Sequence, residues 1–412
     1  MSMNKLVLPI CCVIVCAVLL LLPAMGVSGF ILTLLTQIMI ASVLALSYNM
    51  LFGQSGMLSF GHAVYYGFGI FVTLHLLDAI GDAGLPIPLE VVPVIGAVAG
   101  LVTAMIFGSL CTLRGGMAFA MITLAIGEMV VAASVVFPDF FGGAMAITAD
   151  RVLDFSLTGY SYGPQWQIYL LVAAWAMIAT LLMYLHRDTS QGWAAVAVRD
   201  NEERARFLGY NPQRVRYVQF ALAGLFAGIA GGLYAITFEG ATTDLLGLAA
   251  SADILLGVFL GGRKFFLGPI VGVIFVTLLR NYLSDMTPAW YLYNGMLFIV
   301  MVAYAPQGLV GLVVDFYNAL KTSRIADLVQ VAARNLASAL PLLLGLIVMI
   351  EFAYRRSVAR DPLADIPVLG FNMPPSSITP WIFGAVLLAV SFVAYQLVAR
   401  ANKSNAVLGA AQ

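Results

Sequence analysis

Charged residues are scarce in this sequence: lysine, arginine, aspartate and glutamate make up 10% of its 412 residues. Soluble domains carry about 25%, whereas here 62% of the residues are hydrophobic and the mean hydropathy is +0.97. At about 20 residues per crossing, the apolar segments account for roughly ten to twelve helices. The sequence therefore predicts an all-α, polytopic membrane protein. Its formal net charge of zero favours no nucleic-acid partner.

Side chains that carry metal or catalytic chemistry are also few. The cysteines lie within or beside apolar segments, which predicts buried thiols rather than disulfides or a metal site. The histidines are scattered without metal-ligand spacing, and no G-x-x-x-x-G-K-[ST] phosphate loop occurs. We therefore expect a non-catalytic protein with no metal or cofactor of its own. The residues concerned are Cys11, Cys12, Cys16, Cys111, His62, His75 and His186.

The first two apolar runs are separated from the third by a polar break. Leu6 to Met25 is interpreted as the first membrane helix, since its apolar region is long for a signal peptide and no small-x-small cleavage site follows. A second helix, about residues 30–52, leads into the Gly- and Ser-rich stretch from Gly53 to His62. Backbone that leaves helical pairing inside a bilayer must be buried in protein or line a wet cavity. We expect one of these environments for this stretch.

A polar island from Arg187 to Arg216 holds ten of the forty charged residues. Asp200 and Glu203 resemble a capping box, Gly209 suits the position after a helix, and Pro212 prevents continuation. The pattern predicts a short polar helix whose Ala205 and Leu208 form an apolar patch. Because so short a helix is marginal alone, we expect flanking helices or a docked protein to hold it. The alternative is a solvated connector.

Lysine and arginine counts give the orientation. With the polar island in the cytoplasm, ten basic residues lie inside and two, Arg151 and Arg280, lie outside in the loops up to Gly311. Both ends of this ten-helix unit are therefore expected in the cytoplasm.

The tail from residue 312 differs in pattern from the preceding core. Residues 315–335 are typical of an amphipathic surface helix, and residues 336–352 and 380–398 are interpreted as two further spans. Such a hairpin places Arg355, Arg356 and Arg360 outside, against the positive-inside trend. The alternative is a re-entrant or surface-lying pair.

Glu128 is the most unusual residue within a predicted span. A carboxylate near the middle of a membrane helix costs about 2.5–3.5 kcal/mol on insertion scales, so it should face a bundle interior or a cavity. It either lines a solute path or hydrogen-bonds to a neighbouring helix. Ser59 and His62 line a pore or cap a helix end, and Tyr65 contacts solute or packs in the core.

Several motifs together resemble a known family. They are YNMLFG (48–53) with GMLSFGHA (56–63), LRGGMAFA (113–120) with TLAIGE (123–128), RDNEERA (199–205) with LGYN (208–211), AGIAGGLYA (227–235), LGG (260–262) with LGP (267–269), and APQGLVG (305–311). In this order the chain resembles, over about residues 30–311, the LivM-like permease subunits of bacterial ABC importers for branched-chain amino acids. The core would then be residues 1–311 and the C-terminal extension residues 312–412.

The resemblance implies an inner-membrane permease that pairs with a second homologous permease, two ATP-binding subunits and a periplasmic solute-binding protein, with ATP and Mg bound by the ATP-binding subunits. The polar island, about residues 187–216, would couple to those subunits. The coupling residues would be Arg199, Asp200, Asn201, Glu202, Glu203, Arg204, Ala205, Leu208 and Gly209. The residues expected along the translocation path are Asn49, Gln54, Ser55, Ser59, His62, Tyr65, Thr123 and Glu128.

Two places depart from the family pattern and leave the solute open. Gln54 and Ser55 precede the Gly-Met-Leu-Ser segment, where relatives commonly carry an aromatic residue followed by alanine or threonine. The outer loop reads FGGAMA at 141–146 instead of a sequence like TGGSDG. Branched-chain or related amino acids are the expected cargo. The alternatives are urea, amides, carboxylates or sugars in the same superfamily, an ion-coupled secondary transporter or channel, or a membrane scaffold.

Overall fold

The computed structural model describes residues 22–396, with gaps at 144, 154, 288, 305–306, 323–340, 343, 358–365, 369–370, 375–377, 392 and 394–395. The predicted first membrane helix lies outside the described residues, apart from a 3-10 turn at Leu22–Met25.

The described chain is almost entirely helical. Its helices are α1 Gly29–Asn49, α2 Ala63–Ala83, α3 Val92–Cys111, α4 Met117–Val136, α5 Pro138–Phe141, α6 Gln165–Arg187, α7 Ser190–Asp200, α8 Glu202–Phe207, α9 Pro212–Phe238, α10 Leu248–Gly261, α11 Gly268–Met286, α12 Trp290–Tyr304, α13 Gly308–Thr322 and α14 Thr379–Ser391. A π-helical turn, Met50–Gln54, ends α1, and 3-10 turns lie at Leu89–Val91 and Thr243–Leu246.

Extended structure is confined to two small antiparallel pairs in the described residues. Strands β1 (Ile147–Thr148) and β2 (Gly240–Ala241) pair with Ile147 opposite Ala241. Strands β3 (Ile366–Val368) and β4 (Phe371–Met373) form the second pair. Six helical segments are long and apolar enough to cross a membrane: Gly29–Gln54, Ala63–Ala83, Leu89–Cys111, Met117–Val136, Gln165–Arg187 and Pro212–Phe238. The prediction of an all-α, polytopic membrane protein is confirmed.

Helix α9 lies at the centre of this helical core. In the sequence, its glycines Gly224, Gly228, Gly231 and Gly232 have the small-residue spacing that predicts close approach of helix backbones. A Cβ on Gly228 would lie 2.2 Å from the Gly96 carbonyl oxygen of α3, and one on Gly231 would lie 2.3 Å from the Tyr66 oxygen of α2. Backbone therefore touches backbone at these crossings, and the prediction of close packing is confirmed.

The chain divides into two compact units. One comprises Met1–Leu279 and Phe298–Gly311, and the other comprises Arg280–Leu297 and Leu312–Gln412. The second unit contains residues 312–322 of α13, α14 and helical residues 344–357, while residues 323–335 of the predicted amphipathic helix lie outside the described part.

A buried carboxylate organises part of the second unit. Glu351 accepts hydrogen bonds from the Thr287 hydroxyl at 2.9 Å and the Tyr293 hydroxyl at 3.4 Å, and it pairs with Arg355 Nε at 2.5 Å. The ring of the adjacent Phe352 packs edge-on against Trp381 of α14. The charge of Arg355 is therefore compensated by its own helix.

Candidate functional site

The polar island folds into two short helices between α6 and α9, here called the connector (residues 188–211). Thr189 caps α7 by accepting a hydrogen bond from Gly192 N at 3.2 Å. Asn201 caps α8 through Arg204 N at 2.8 Å, and Asn211 caps α9 through Arg214 N at 3.2 Å. Each helix start thus has a side-chain acceptor for an otherwise unpaired N–H group.

The prediction that Asp200 caps a single helix is wrong. Asp200 is the last residue of α7, because Asn201 N still bonds to the Ala197 oxygen at 3.0 Å. The Asp200 carboxylate instead pairs with Arg199 at 2.8 Å. The predicted end of the helix is confirmed, since Gly209 follows α8 with φ +90°, a conformation that glycine adopts without steric cost.

The connector is held firmly on α9. Ala205 of α8 is buried in a small apolar cluster with Val198 and Val215. The Glu202 carboxylate pairs with Arg206 at 2.6 Å and also with Arg216, whose side chain is buried in the first turns of α9. Glu202 is the only acceptor for the Arg216 guanidinium among the described residues. The two short helices are therefore braced against a membrane helix rather than loosely solvated.

The exposed surface of the connector is apolar at its tip. Phe207 is 91% exposed and Leu208 is 68% exposed, while Ala205 is 1% exposed. The expected patch of Ala205 and Leu208 is thus half wrong: Ala205 faces the chain's own core, and Phe207 takes its place at the surface. Two adjacent large apolar side chains following a charged helix are the sequence signal that identifies this tip.

An open groove of about 390 Å³ lies beside the tip of the connector. Its walls combine the braced ion pair with apolar and aromatic side chains, which suits a protein surface with both kinds of group. The lining includes Leu113, Glu202, Arg206, Tyr210 and Arg216.

The stretch between α1 and α2, here called the break (residues 50–62), is buried in protein, one of the two environments predicted for it. Its backbone groups bond to side chains from other helices. Gln219 Nε2 donates to the Met50 oxygen at 3.2 Å, and the Tyr48 hydroxyl donates to the Ser59 oxygen at 2.9 Å. Phe60 N donates to Thr123 Oγ1 of α4 at 3.2 Å. The break is therefore a fixed part of the core, as buried non-helical backbone in a membrane must be.

Most of the residues expected along a solute path lie around this break. They are buried in the core of the chain: Asn49, Gln54, Ser55, Ser59, His62, Tyr65 and Thr123. His62 Nε2 lies 2.9 Å from Ser47 Oγ, but Asn49 Oδ1, Ser59 Oγ and His62 Nδ1 have no hydrogen-bond partner among the residues that the structure describes. These side chains form a polar cluster inside one subunit, and their role in the path stays a prediction.

Glu128 stands apart from that cluster. It lies on the exposed side of α4, and no described residue forms an ion pair with it. In the most apolar 18-residue stretch of α4, only 33% of the residues are buried, the lowest share among the six spans. A carboxylate exposed to lipid at this depth would be unfavourable, so this face needs protein or water against it.

At the opposite end of the helices, residues 142–164 form a loop that we call the strap. Arg151 fixes it in place: its Nε donates to the Tyr162 oxygen at 2.9 Å and its Nη1 to the Thr237 oxygen at 3.0 Å. The same guanidinium pairs with Glu239 at 3.4 Å, just after the end of α9. The sequence identified Arg151 only as a basic loop residue, since its partners on and after α9, Thr237 and Glu239, lie 86 and 88 positions away along the chain.

A second contact ties the strap to the start of α3. The Tyr162 hydroxyl donates to Glu90 Oε1 at 2.9 Å, and the Thr158 hydroxyl bonds to the same oxygen at 2.9 Å. Burial raises the pKa of Tyr162 to about 12, so its phenol stays protonated and donates at neutral pH. The strap is therefore a rigid surface.

Comparison with known proteins places this arrangement in context. The family "Branched-chain amino acid transport system / permease component" matches residues 30–305. The LivM permease of the high-affinity branched-chain amino acid system of Escherichia coli K12 is 28% identical over 295 residues, 66% of this chain and 68% of that protein.

Other relatives include a second branched-chain amino acid permease and permeases for other solutes. A probable LivH permease of Methanocaldococcus jannaschii is 28% identical over 287 residues, 65% of this chain and 88% of that protein. The fructose import permease FruF of Bifidobacterium longum is 26% identical over 176 residues, 40% of this chain and 48% of that protein. No solved structure matches the chain.

Proposed function

The chain belongs to the family of permease components of branched-chain amino acid transport systems, and we propose that it imports branched-chain or closely related amino acids. In this proposal it is one membrane-spanning subunit of a bacterial ABC importer. ATP and Mg are bound by partner ATPases, and this subunit contributes no catalytic residue. The observation that carries the proposal is the braced connector with its exposed tip at Phe207 and Leu208.

The connector is the proposed docking element for an ATPase subunit in the cytoplasm. Its brace on α9 lets it move as a rigid piece, because Glu202 and Ala205 join it to that helix. A tip of two large apolar side chains is the kind of anchor that dominates binding energy when it fills a pocket. Force from ATP-driven closure would reach α6 and α9, the helices at the two ends of the connector.

The exposed face of α4 is the proposed contact with a second permease and the solute path between the two. Glu128 lies on it, and none of the described residues forms an ion pair with it. A path between subunits supplies the water or polar groups that a membrane carboxylate needs. The small residues Ala118, Ala125 and Ala132 recur on the same exposed face and permit close approach of another helix.

The strap end is the proposed docking surface for a periplasmic solute-binding protein. Its exposed charged residues in the first unit are acidic: Asp78, Asp82, Asp139, Asp150 and Asp244. Arg151 is half-buried, and its charge is compensated by the contact with Glu239 and by carbonyl acceptors at Tyr162 and Thr237. Lysine or arginine side chains on the binding protein would complement this surface.

Sugars are the second candidate cargo, because sugar permeases match parts of the chain. Reconstitution of the transporter in proteoliposomes with its binding protein, ATP and labelled leucine, valine, urea or fructose separates the candidates. We expect ATP-dependent uptake of leucine or valine. Uptake of fructose alone would favour the sugar assignment, and ATP-independent uptake driven by an ion gradient would overturn the importer assignment.

A further inference from the structure

Arg199 lies in the connector, and its partly exposed side chain contacts both Asp200 and the break. Its Nη1 donates to the Gly53 carbonyl oxygen, 146 residues earlier in the sequence. Its aliphatic stem lies against Gly56, where a Cβ would come within 2.7 Å of Arg199 Cγ. Gly56 also has φ +68°, which other residues rarely adopt. Arg199 therefore occupies a notch that a larger residue at position 56 would close.

The carbonyl that Arg199 contacts belongs to the π-helical turn Met50–Gln54. Single π turns are uncommon and are frequently found at functional sites. This turn shifts the hydrogen-bond ladder of α1, and side chains from elsewhere complete it. Arg199 supplies one donor to Gly53, and Ser55 Oγ adds another to the Met50 oxygen at 3.3 Å.

Gln219 of α9 provides a second link to the π turn, from the last turn of α6, which directly precedes the connector. Its Nε2 donates to the Met50 oxygen at 3.2 Å and to Gln54 Oε1 at 3.0 Å. Its Oε1 lies 3.0 Å from Nε2 of His186, in the last turn of α6, directly before the connector. Gln219 is fully buried. Two polar contacts, near the two ends of α7, therefore converge on the π turn.

The turn between α10 and α11 also packs against the π turn. A Cβ on Gly53 would lie 2.7 Å from the Arg263 carbonyl oxygen, and the Arg263 guanidinium lies 4.7 Å from the centre of the Phe52 ring. The π turn is thus packed on several sides, and displacement of one neighbour must move it or break a contact.

The break continues from the π turn to α4. Phe60 N bonds to Thr123 Oγ1, and a Cβ on Gly61 would lie 2.2 Å from the Thr123 carbonyl oxygen. Backbone touches backbone there, one and a half turns before Glu128 on the same helix. A movement of the break therefore acts directly on the helix that carries the exposed carboxylate.

We infer that Arg199 and Gln219 are positioning residues that transmit movement of the connector through the π turn to α4. The inference rests on the proposed function and assigns a specific route to its coupling step. Arg199 acts on the break inside this subunit, and the ATPase contact is left to the exposed tip of the connector. Variants along such a route change coupling without contacting either ligand, by about 2- to 30-fold.

The test uses the full-length chain in its purified transporter, reconstituted in proteoliposomes. Arg199→Met keeps the stem beside Gly56 and removes the donor to Gly53, while Arg199→Lys keeps a donor. Arg214→Met is the matched control, because it removes one positive charge from an exposed position near the connector. Two quantities are measured: solute imported per ATP hydrolysed, and hydrogen–deuterium exchange of amides 50–62.

We expect Arg199→Met to lower the solute imported per ATP by about fivefold while ATP hydrolysis continues, and to speed exchange of amides 50–62. Arg199→Lys restores much of both values, and Arg214→Met changes neither. A merely structural role would reduce the amount of assembled transporter without changing the ratio. An unchanged ratio and unchanged exchange in Arg199→Met overturn the inference.

Two further measurements test the inference if the first variant does not fold or the transporter does not assemble. If Arg199→Met does not fold, Gln219→Met removes the second link, and normal coupling with normal exchange in that variant overturns the inference. If the wild-type chain assembles with no ATPase, the proposed function fails. Exchange of amides 50–62 in the chain alone then still tests the Arg199 link, which is refuted if Arg199→Met leaves it unchanged.

Discussion

Helices α9 and α4 are both apolar spans, yet no other two of the six long spans differ more in the share of their residues that is buried. In its most apolar window α9 is 83% buried, whereas α4 is 33% buried. Each end of α9 is fixed by an ion pair, Glu202 with Arg216 at the connector and Arg151 with Glu239 at the strap. Helix α4 instead leaves Glu128 exposed, with no ion-pair partner in the described part of the chain. The chain buries most of α9 by itself, while α4 leaves a face that protein or water must cover.

The largest effect is expected from Gly228→Val in α9. The new side chain would begin 2.2 Å from the Gly96 oxygen, so two backbones would have to separate. Overpacking of this kind costs about 1–3 kcal/mol or more. We expect loss of most monodisperse protein in size-exclusion chromatography. Ala125→Val on the exposed face of α4 is the control, and equal loss in both variants would refute the contrast between the helices.

Leu208→Asp is expected to have the next largest effect, through the connector that α9 supports. A charge at the exposed tip would prevent burial in an ATPase pocket and lower ATP-driven uptake by about 30-fold or more. The chain itself should fold normally, because Leu208 is 68% exposed. Val152→Asp makes the same change on the strap and should leave ATPase binding intact. Retention of ATPase subunits by Leu208→Asp would contradict the docking assignment.

Glu128→Gln tests whether the exposed face of α4 lines the proposed solute path. The substitution keeps the shape of the side chain and removes its negative charge. We expect uptake to fall by about tenfold, the effect of removing roughly 1.4 kcal/mol of interaction, with the amount of assembled transporter unchanged. Met121→Leu on the same exposed face of α4 is the control. Normal uptake by Glu128→Gln would exclude a role for its charge in the path.

The smallest effects should distinguish the two ends of α9. Glu202→Gln leaves buried Arg216 without a carboxylate and should cost about 1–2 kcal/mol, less than a fully buried pair because Glu202 is 38% exposed. Glu239→Gln should cost less, since Arg151 keeps its carbonyl acceptors at Tyr162, Thr237 and Gly163. Thermal unfolding in detergent measures both, and the reverse order would refute this account of the braces.

The sequence was sufficient for the features that follow from local pattern. Apolar run length located the six long spans. Glycine spacing predicted close helix crossings in α9, and glycine with serine marked the break. These properties depend on residues near one another in the chain, so a single sequence contains them.

Features that depend on residues far apart in the sequence could not be predicted from local pattern. Asp200 and Asn201 are both residue types that cap helix N-termini. Which of them caps α8 depends on where α7 ends. The inward side of Ala205 depends on Val215 beyond the connector. Likewise, Gly53 as acceptor for Arg199 is 146 residues away. The exposed position of Glu128 depends on which helices surround α4, which hydropathy does not determine.

The most direct measurement is mass spectrometry of the proteins that accompany the full-length chain when it is purified from its native membrane in a gentle detergent. The account predicts a second, homologous permease and ATP-binding subunits in stable association with it. A chain that purifies alone and moves solute down an ion gradient in liposomes would contradict the account.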